Sequence, residues 1–350
     1  NGVIDMGYKF GGHVNIGYNP EFAPTVVNEA TNQNGAMVVG QSNKIEGNSS
    51  LAVGQNNHIL LTNSRACVAM GTGNRVSGNV ANVALGFSGD IHASAAYAVA
   101  LGYSPDIGST GFGGIAVGAS KADGLLAIGM GFGSTGSANY TIAMGQSAKA
   151  TAQSAVAIGT GGTGSATLAI GLGGVASATK AIAIGSGATA STSGSIVLGR
   201  GMNSAGRLGA FRLNANGGKS ISDSYQICQS LGATTDATPA KIFLASGGST
   251  DGNLIIGSST TVQFTVYVQA SKNDSDTVGA CYKLEGAVTR AAGNPAFLGS
   301  VTKTVIYEED AGMDAAITID NTTKALDLTV TGKAATNLNW LGTWHLHQNQ

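Results

Sequence analysis

The stretch Val83-Ala84-Leu85-Gly86, met again as Val99-Ala100-Leu101-Gly102 and as Ile115-Ala116-Val117-Gly118, decides the fold. Two apolar residues flank a small one and a glycine closes the phrase. In a strand, successive side chains point to opposite faces, so the flanking pair shares one face and the small residue takes the other. Glycine then permits a sharp corner. The phrase occurs twelve times between Met37 and Gly199, and its middle residue is Ala in ten of them. The closing glycines are Gly40, Gly54, Gly71, Gly86, Gly102, Gly118, Gly129, Gly145, Gly159, Gly171, Gly185 and Gly199, spaced 11 to 17 residues apart. A period this short with one reliable strand per turn reads as a solenoid, in which stacked coils satisfy each other's backbone groups. A second short strand per coil is expected at places such as Ala148-Lys149-Ala150 and Ala188-Thr189-Ala190.

The large apolar pair is expected to fill the interior of the coil, with the Ala face outward as a place for other chains to pack. So thin a coil hides little apolar surface for the backbone that it orders. A homo-oligomer is therefore expected. The insertions Gly89-Asp90-Ile91-His92 and Pro105-Asp106-Ile107 are expected to bulge from the coil as loops.

Composition excludes several classes. The 350 residues carry 18 basic against 19 acidic side chains, with no basic block, so no nucleic-acid partner is expected. No run of about 18 apolar residues is present, so no membrane insertion by a helix is expected. The 54 glycines lack a three-residue period and only 5 prolines accompany them, which excludes collagen. The chain starts Asn1-Gly2-Val3 without a leader, and its natural N-terminus can lie upstream. Cys67, Cys228 and Cys281 are distant and odd in number, which suits buried thiols better than a disulfide framework or zinc site.

After Gly199 the pattern changes. Residues 31–200 hold 11 charged side chains, and residues 221–350 hold 19 in a shorter stretch. Period-two runs appear at Val262–Gln269, Tyr282–Thr289, Leu298–Tyr307, Ala315–Ile319, Leu326–Val330 and Leu338–Leu346. About eight short strands, each with one wet face, imply an antiparallel β-sandwich. The fold expected is all-β: a parallel β-roll or solenoid of about twelve repeats, then the sandwich. The divisions are an N-terminal connector at 1–30, repeats at 31–200, a Gly/Asn/Arg-rich linker at 201–221 and a C-terminal module at 222–350.

Ser154-Ala155-Val156-Ala157-Ile158-Gly159 and Ala178-Thr179-Lys180-Ala181-Ile182-Ala183-Ile184-Gly185 resemble the repeats of the YadA-like head of trimeric autotransporter adhesins. That resemblance implies a left-handed parallel β-roll with three chains abreast, used for adhesion. The C-terminal half resembles a module of bacteriophage and prophage tail or fibre proteins. It does so at Ala233–Pro239, at the strand ending Val268-Gln269-Ala270, at Leu326–Gly332 and at the terminal strand containing Trp340. This implies a homotrimeric, non-enzymatic virion fibre or tail protein. Its partners would be other tail or capsid proteins and a host-surface polysaccharide or protein receptor. The alternatives are a bacterial surface adhesin fragment and a polysaccharide-depolymerising tailspike.

Signatures of chemistry are few. Gly131-Phe132-Gly133-Ser134-Thr135-Gly136 fits a dinucleotide fingerprint, but no strand–helix unit surrounds it. Gly218-Lys219-Ser220 lacks the upstream glycine of a phosphate loop, where Leu213 stands. Gly161-Gly162-Thr163-Gly164 lacks the aspartate of calcium-binding repeats, with Ala166 in its place. Glycoside hydrolysis uses two nearby carboxylates, whereas Glu46, Asp90, Asp106 and Asp123 are expected singly on loops. His345 and His347 share one strand face, opposite Leu338, Trp340, Trp344 and Leu346. Repeated about a threefold axis they would offer six imidazoles to one transition-metal ion per trimer, a habit of phage fibres; no other cofactor is expected. Sugar receptors would be held by exposed aromatics, for which Tyr8, Phe10, Tyr18, Tyr97, Tyr103, Phe112 and Phe132 are candidates.

Overall fold

The computed structural model describes residues 2–5, 14–18, 29–30, 35–60, 65–164, 168–201, 203, 211–213, 224–244, 252–273 and 277–349. These residues form strands and turns, with no α-helix among them. The chain divides into two units, Asn1–Gly174 and Val175–Gln350.

In the first unit the phrase strands stack in parallel and in register, as Ala52 on Ala69, Ala69 on Ala84, Ala84 on Ala100 and Ala100 on Ala116. A second parallel ladder runs beside them, with Ile45, Ile59, Val76, Ile91, Ile107 and Ala122 on successive rungs. The chain is thus a β-solenoid of about twelve turns, two strands to a turn. Lys149–Ala150 and Thr189–Ala190 are second-ladder strands, as expected.

The coil is inside out relative to the expectation. Ala52, Ala69, Ala84, Ala100, Ala116, Ala143 and Ala157 are fully buried, while the apolar residues on either side of each are only half-buried or exposed. The reason is space. The two ladders of a rung close on each other, and the inward side chains of the second are large (Ile45 to Ile107) or small (Ala122, Gly136, Ala150, Gly164). Alanine is the residue that leaves room for them, so the Val, Ile, Leu and Met side chains turn outward.

The supposed loops are also strands. Asp90–Ile91 and Asp106–Ile107 lie in the second ladder, aligned with each other, because Ile91 and Ile107 supply its buried positions. The register corrects one repeat as well. The strand is Ile128–Met130, with Gly129 stacked on Ala116, so Gly129 occupies the buried middle position. Gly131, with φ of 114°, turns the corner instead.

Two features were not marked in the sequence. Val14–Tyr18 stacks in parallel on Met37–Gln41, with Asn15 at the position of the buried Val38. Gly2–Asp5 pairs antiparallel with it at the end of the ladder. Inside the early rungs runs an amide ladder. Asn43 Oδ1 accepts from Asn57 Nδ2 at 3.0 Å, and Asn57 Oδ1 accepts from Asn74 Nδ2 at 3.0 Å. Asn57 also donates to the Val53 and Gly71 carbonyls at 3.0 and 2.8 Å, so these buried amides are satisfied.

In the second unit Ile182–Ile184 and Ile196–Leu198 continue the phrase, in parallel with each other. Phe211–Leu213, within the Gly/Asn/Arg-rich stretch, stacks on Ile196–Leu198 and pairs antiparallel with Ser224–Thr234. Parallel order therefore passes into an antiparallel sheet region. One array runs Ser224–Thr234, Leu338–Asn349, Thr260–Lys272, Val278–Arg290 and Thr302–Glu308. A smaller one joins Pro239–Leu244 and Leu254–Ile255 to Ala325–Thr331, which pairs with Asp314–Asp320. Several of these strands reach 11 to 13 residues, longer than the short strands expected. Phe264, Tyr282, Trp340 and Trp344 are buried in one core with side chains from both arrays. The indole of Trp340 donates to Thr234 Oγ1 at 2.9 Å and that of Trp344 to Ser230 Oγ at 2.8 Å, satisfying buried N–H groups.

The packed Ala column makes a prediction. Ala100→Leu forces three extra carbon atoms between two ladders at a fully buried position. Overpacking of this kind costs about 1–3 kcal/mol. The denaturation midpoint is expected to fall accordingly, which circular dichroism measures.

Candidate functional site

Among the described residues of the first unit, the outward side of the second ladder carries Lys44, Arg75, Asp90, Asp106, Lys121 and Lys149. Arg75, Asp90, Asp106, Lys121 and Thr135 stand on successive rungs. Two residues further along each strand come Ser77, His92, Gly108 and Asp123, placed by the same ladder of backbone hydrogen bonds. In-register parallel stacking sets Asp90 and Asp106 one rung apart, about 4.8 Å between backbones. The four acids expected singly are therefore not all single. Asp90, Asp106 and Asp123 lie on three adjacent rungs, while Glu46 lies apart and pairs with Lys44 at 3.0 Å.

Lys121 is the organising cation. Its Nζ lies 3.2 Å from Asp123 Oδ2 and 3.6 Å from Asp106 Oδ2. The Asp123 carboxylate beside it, helped by Asp106, holds the Lys121 ammonium above its ordinary pKa against a smaller opposing effect of burial. Gly108 leaves room for this group: a Cβ there would come within 2.1 Å of Asp123 Oδ1.

Aromatic side chains flank the same rungs. At the corner after the closing glycine, Phe87 and Tyr103 stack with centroids 5.4 Å apart and planes 5° from parallel. At the opposite corner Tyr97 meets Phe112 edge-on at 5.3 Å, and Leu126 and Tyr140 follow on later rungs. Tyr97, Leu126 and Tyr140 have φ of 56°, 53° and 61°, the left-handed region that bulky residues seldom adopt. Phe132 is exposed beyond Tyr103. Tyr8 and Phe10 lie outside the described residues, and of Tyr18 only the backbone is described. Gly218-Lys219-Ser220 and Ala166 also lie outside them. Gly131–Gly136 forms a turn followed by the two-residue strand Thr135–Gly136, with no helix to receive a pyrophosphate.

In the second unit His345 and His347 share the outward face of Leu338–Asn349, while Leu338, Trp340, Trp344 and Leu346 are buried on the other. Tyr225 Oη lies 2.5 Å from His345 Nδ1, and its ring is 4.8 Å from that of His347. Tyr267 meets His345 edge-on at 5.8 Å. One imidazole nitrogen of His345 is thus engaged by a tyrosine. Among the described residues no group of three or more His, Cys, Asp or Glu is placed to hold a metal ion. Cys67 and Cys228 are buried thiols outside any disulfide and Cys281 is half-buried; burial raises the Cys67 pKa.

No protein-family description matches the chain, and no curated protein matches it. Among solved structures it is similar to a tailspike protein, gp49 of Acinetobacter baumannii bacteriophage Fri1, a capsular polysaccharide depolymerase. The identity is 8% and the TM-score 0.26, over 89% of this chain and 52% of that one. This chain spans about half the length of that tailspike. At such a TM-score the likeness carries no argument about activity. The expectation of a non-enzymatic protein is nevertheless withdrawn, since the protein to which the chain is similar is a depolymerase and nothing supports the exclusion.

Proposed function

We propose that the chain is a homotrimeric rod of a phage virion, a tail fibre or tailspike, that attaches to polysaccharide on the host surface. One observation carries the reading. The solenoid buries alanine and leaves its larger apolar side chains, such as Leu85, Leu101, Val117 and Met130, half-buried along a line of adjacent rungs. An apolar stripe this long on a soluble chain marks an interface. The repeating surface is suited to an identical repeating surface, and the resemblance of the repeats to adhesin heads supports three chains. The phage assignment is supported by the resemblance of the C-terminal region to tail and fibre modules. Sedimentation equilibrium on the purified chain is expected to give three chains per particle. A folded single chain in dilute buffer would refute the reading.

A second reading is favoured by Asp90 and Asp106. Retaining glycosidases hold the carboxyl groups of an acid and a nucleophile about 5–5.5 Å apart, a separation within reach of side chains whose backbones stand in register on neighbouring rungs about 4.8 Å apart. In a depolymerase one carboxyl would protonate the leaving oxygen while the other attacks the anomeric carbon; water, deprotonated by the first carboxylate, would then cleave the resulting glycosyl–carboxylate ester and free the new reducing end. Incubation with capsular polysaccharide would then release new reducing ends. Asp90→Asn and Asp106→Asn are each expected to cut that release by roughly 10²–10⁴-fold. Equal release by wild type and both variants removes these two residues from the chemistry.

A further inference from the structure

We infer that Tyr103 and Phe132 form a clasp for a single pyranose ring of a surface polysaccharide, with Ala119 as its floor. The inference rests on the attachment reading above and gives it a location.

Tyr103 and Phe132 are 63% and 68% exposed. Each follows a corner glycine, Gly102 and Gly131, that turns the chain with positive φ. Ala119 follows Gly118 on the rung between them, and its carbonyl accepts from Gly133 N at 2.7 Å. The corner therefore presents ring, methyl, ring. Two rung steps separate the backbones that carry the rings by about 9.6 Å. The rung of Ala119 lies about 4.8 Å from each of those backbones, so rings standing out from the corners on either side leave a slot between them wide enough for one further ring. Phe87, stacked on the far side of Tyr103, buttresses that ring from behind.

The polar surroundings select the occupant. Asp106, Lys121 and Thr135 begin the second-ladder strands of these same three rungs. The Lys121–Asp106 pair is itself 46% exposed on each side, so both groups can exchange partners with a ligand. A guest must offer apolar C–H faces to two rings and hydroxyl groups to a carboxylate and an ammonium at its edge. A sugar ring does both. A purely apolar segment would strand the charged pair, and a purely ionic ligand would gain nothing from the rings.

The test uses the full chain and a panel of purified bacterial capsular and O-antigen polysaccharides, with calorimetry on the tightest binder. Tyr103→Ala and Phe132→Ala are each expected to weaken binding about tenfold or more. Ala119→Phe fills the slot while keeping both rings, and is expected to abolish binding. It adds one more ring to a corner that already stacks Phe87 on Tyr103, so it is expected to fold. Tyr267→Ala, an exposed aromatic of the second unit, should leave affinity unchanged. Polysaccharide binding that survives Ala119→Phe overturns the clasp and leaves the attachment reading intact. A correctly trimeric wild type that binds no member of the panel also overturns it. A change in the number of chains per particle on Tyr103→Ala would assign the corner to contact between copies and overturn it as well. A wild type that is a single chain instead refutes the trimeric reading, independently of the clasp.

Discussion

Gly71→Ala is expected to destabilise the solenoid by about 3 kcal/mol or more. A Cβ at this position would lie 2.0 Å from the carbonyl oxygen of Gly86 and 2.9 Å from its carbonyl carbon, on the next rung. Those are backbone atoms, so no rotamer change relieves the clash. The φ of +116° adds strain for any residue that carries a Cβ. The same approach recurs at Gly54 toward Gly71 and at Gly86 toward Gly102, both at 2.1 Å. One altered rung must therefore part from its neighbour and break the hydrogen bonds between them. Gly161→Ala is the internal control. Its φ is +67° and nothing lies within 4 Å of the added carbon, so only left-handed strain of about 1–2 kcal/mol remains. Thermal unfolding should separate the two variants clearly. Equal melting temperatures would show that rung contact does not explain the repeated glycine.

Much of this was legible in the chain. The glycine-closed phrase predicts the strand, the corner and the stacking, because period-two patterning and a positive-φ glycine are local requirements. What the phrase could not show was which face lies inside. Alternation fixes that Leu85 and Leu101 share a face opposite Ala84 and Ala100; the width of the coil decides which set is enclosed. That width depends on the second ladder, whose strands are only two residues long and leave almost no periodic trace. Gly129 shows the same limit. Leu126-Ala127-Ile128-Gly129 satisfies the pattern, yet Ile128-Gly129-Met130-Gly131 satisfies it too, with Gly in place of Ala, and stacking chooses the latter.

The candidate site was written in the spacing and passed over. Val83 and Val99 are 16 residues apart, as are Asp90 and Asp106, and Phe87 and Tyr103. Any two residues separated by the local period must stack. Read that way, the acids are neighbours and the aromatics form a column. The region 201–221 resisted reading for a different reason. Phe211-Arg212-Leu213 carries a buried Arg212 where the repeats carry Ala, Val or, at Gly129, Gly, so it breaks the pattern that would have revealed it. Arg212 donates to Ser224 Oγ at 2.8 Å, a long-range partner invisible to local patterning.

Leu101→Asp is expected to give the largest effect on assembly and a small one on the single coil. Leu101 lies next to Ala100 in sequence but on the opposite face, half-exposed in the chain by itself. A carboxylate there remains in water in an isolated chain, so the β-sheet signature should persist. In a trimer closed over this stripe, each copy would bury one unpaired charge. Leaving such a group uncompensated costs about 3 kcal/mol or more per site. Three sites then weaken the trimer by roughly 10⁶-fold or more. Ala100→Leu, one residue away, should do the reverse, loosening the rung while leaving the chemistry of the outer face unchanged. The pair tests the orientation of the coil and its partner together. Folded single chains from Leu101→Asp, seen by light scattering, are the expected result. Trimers as stable as wild type would mean that the stripe is not where the copies meet.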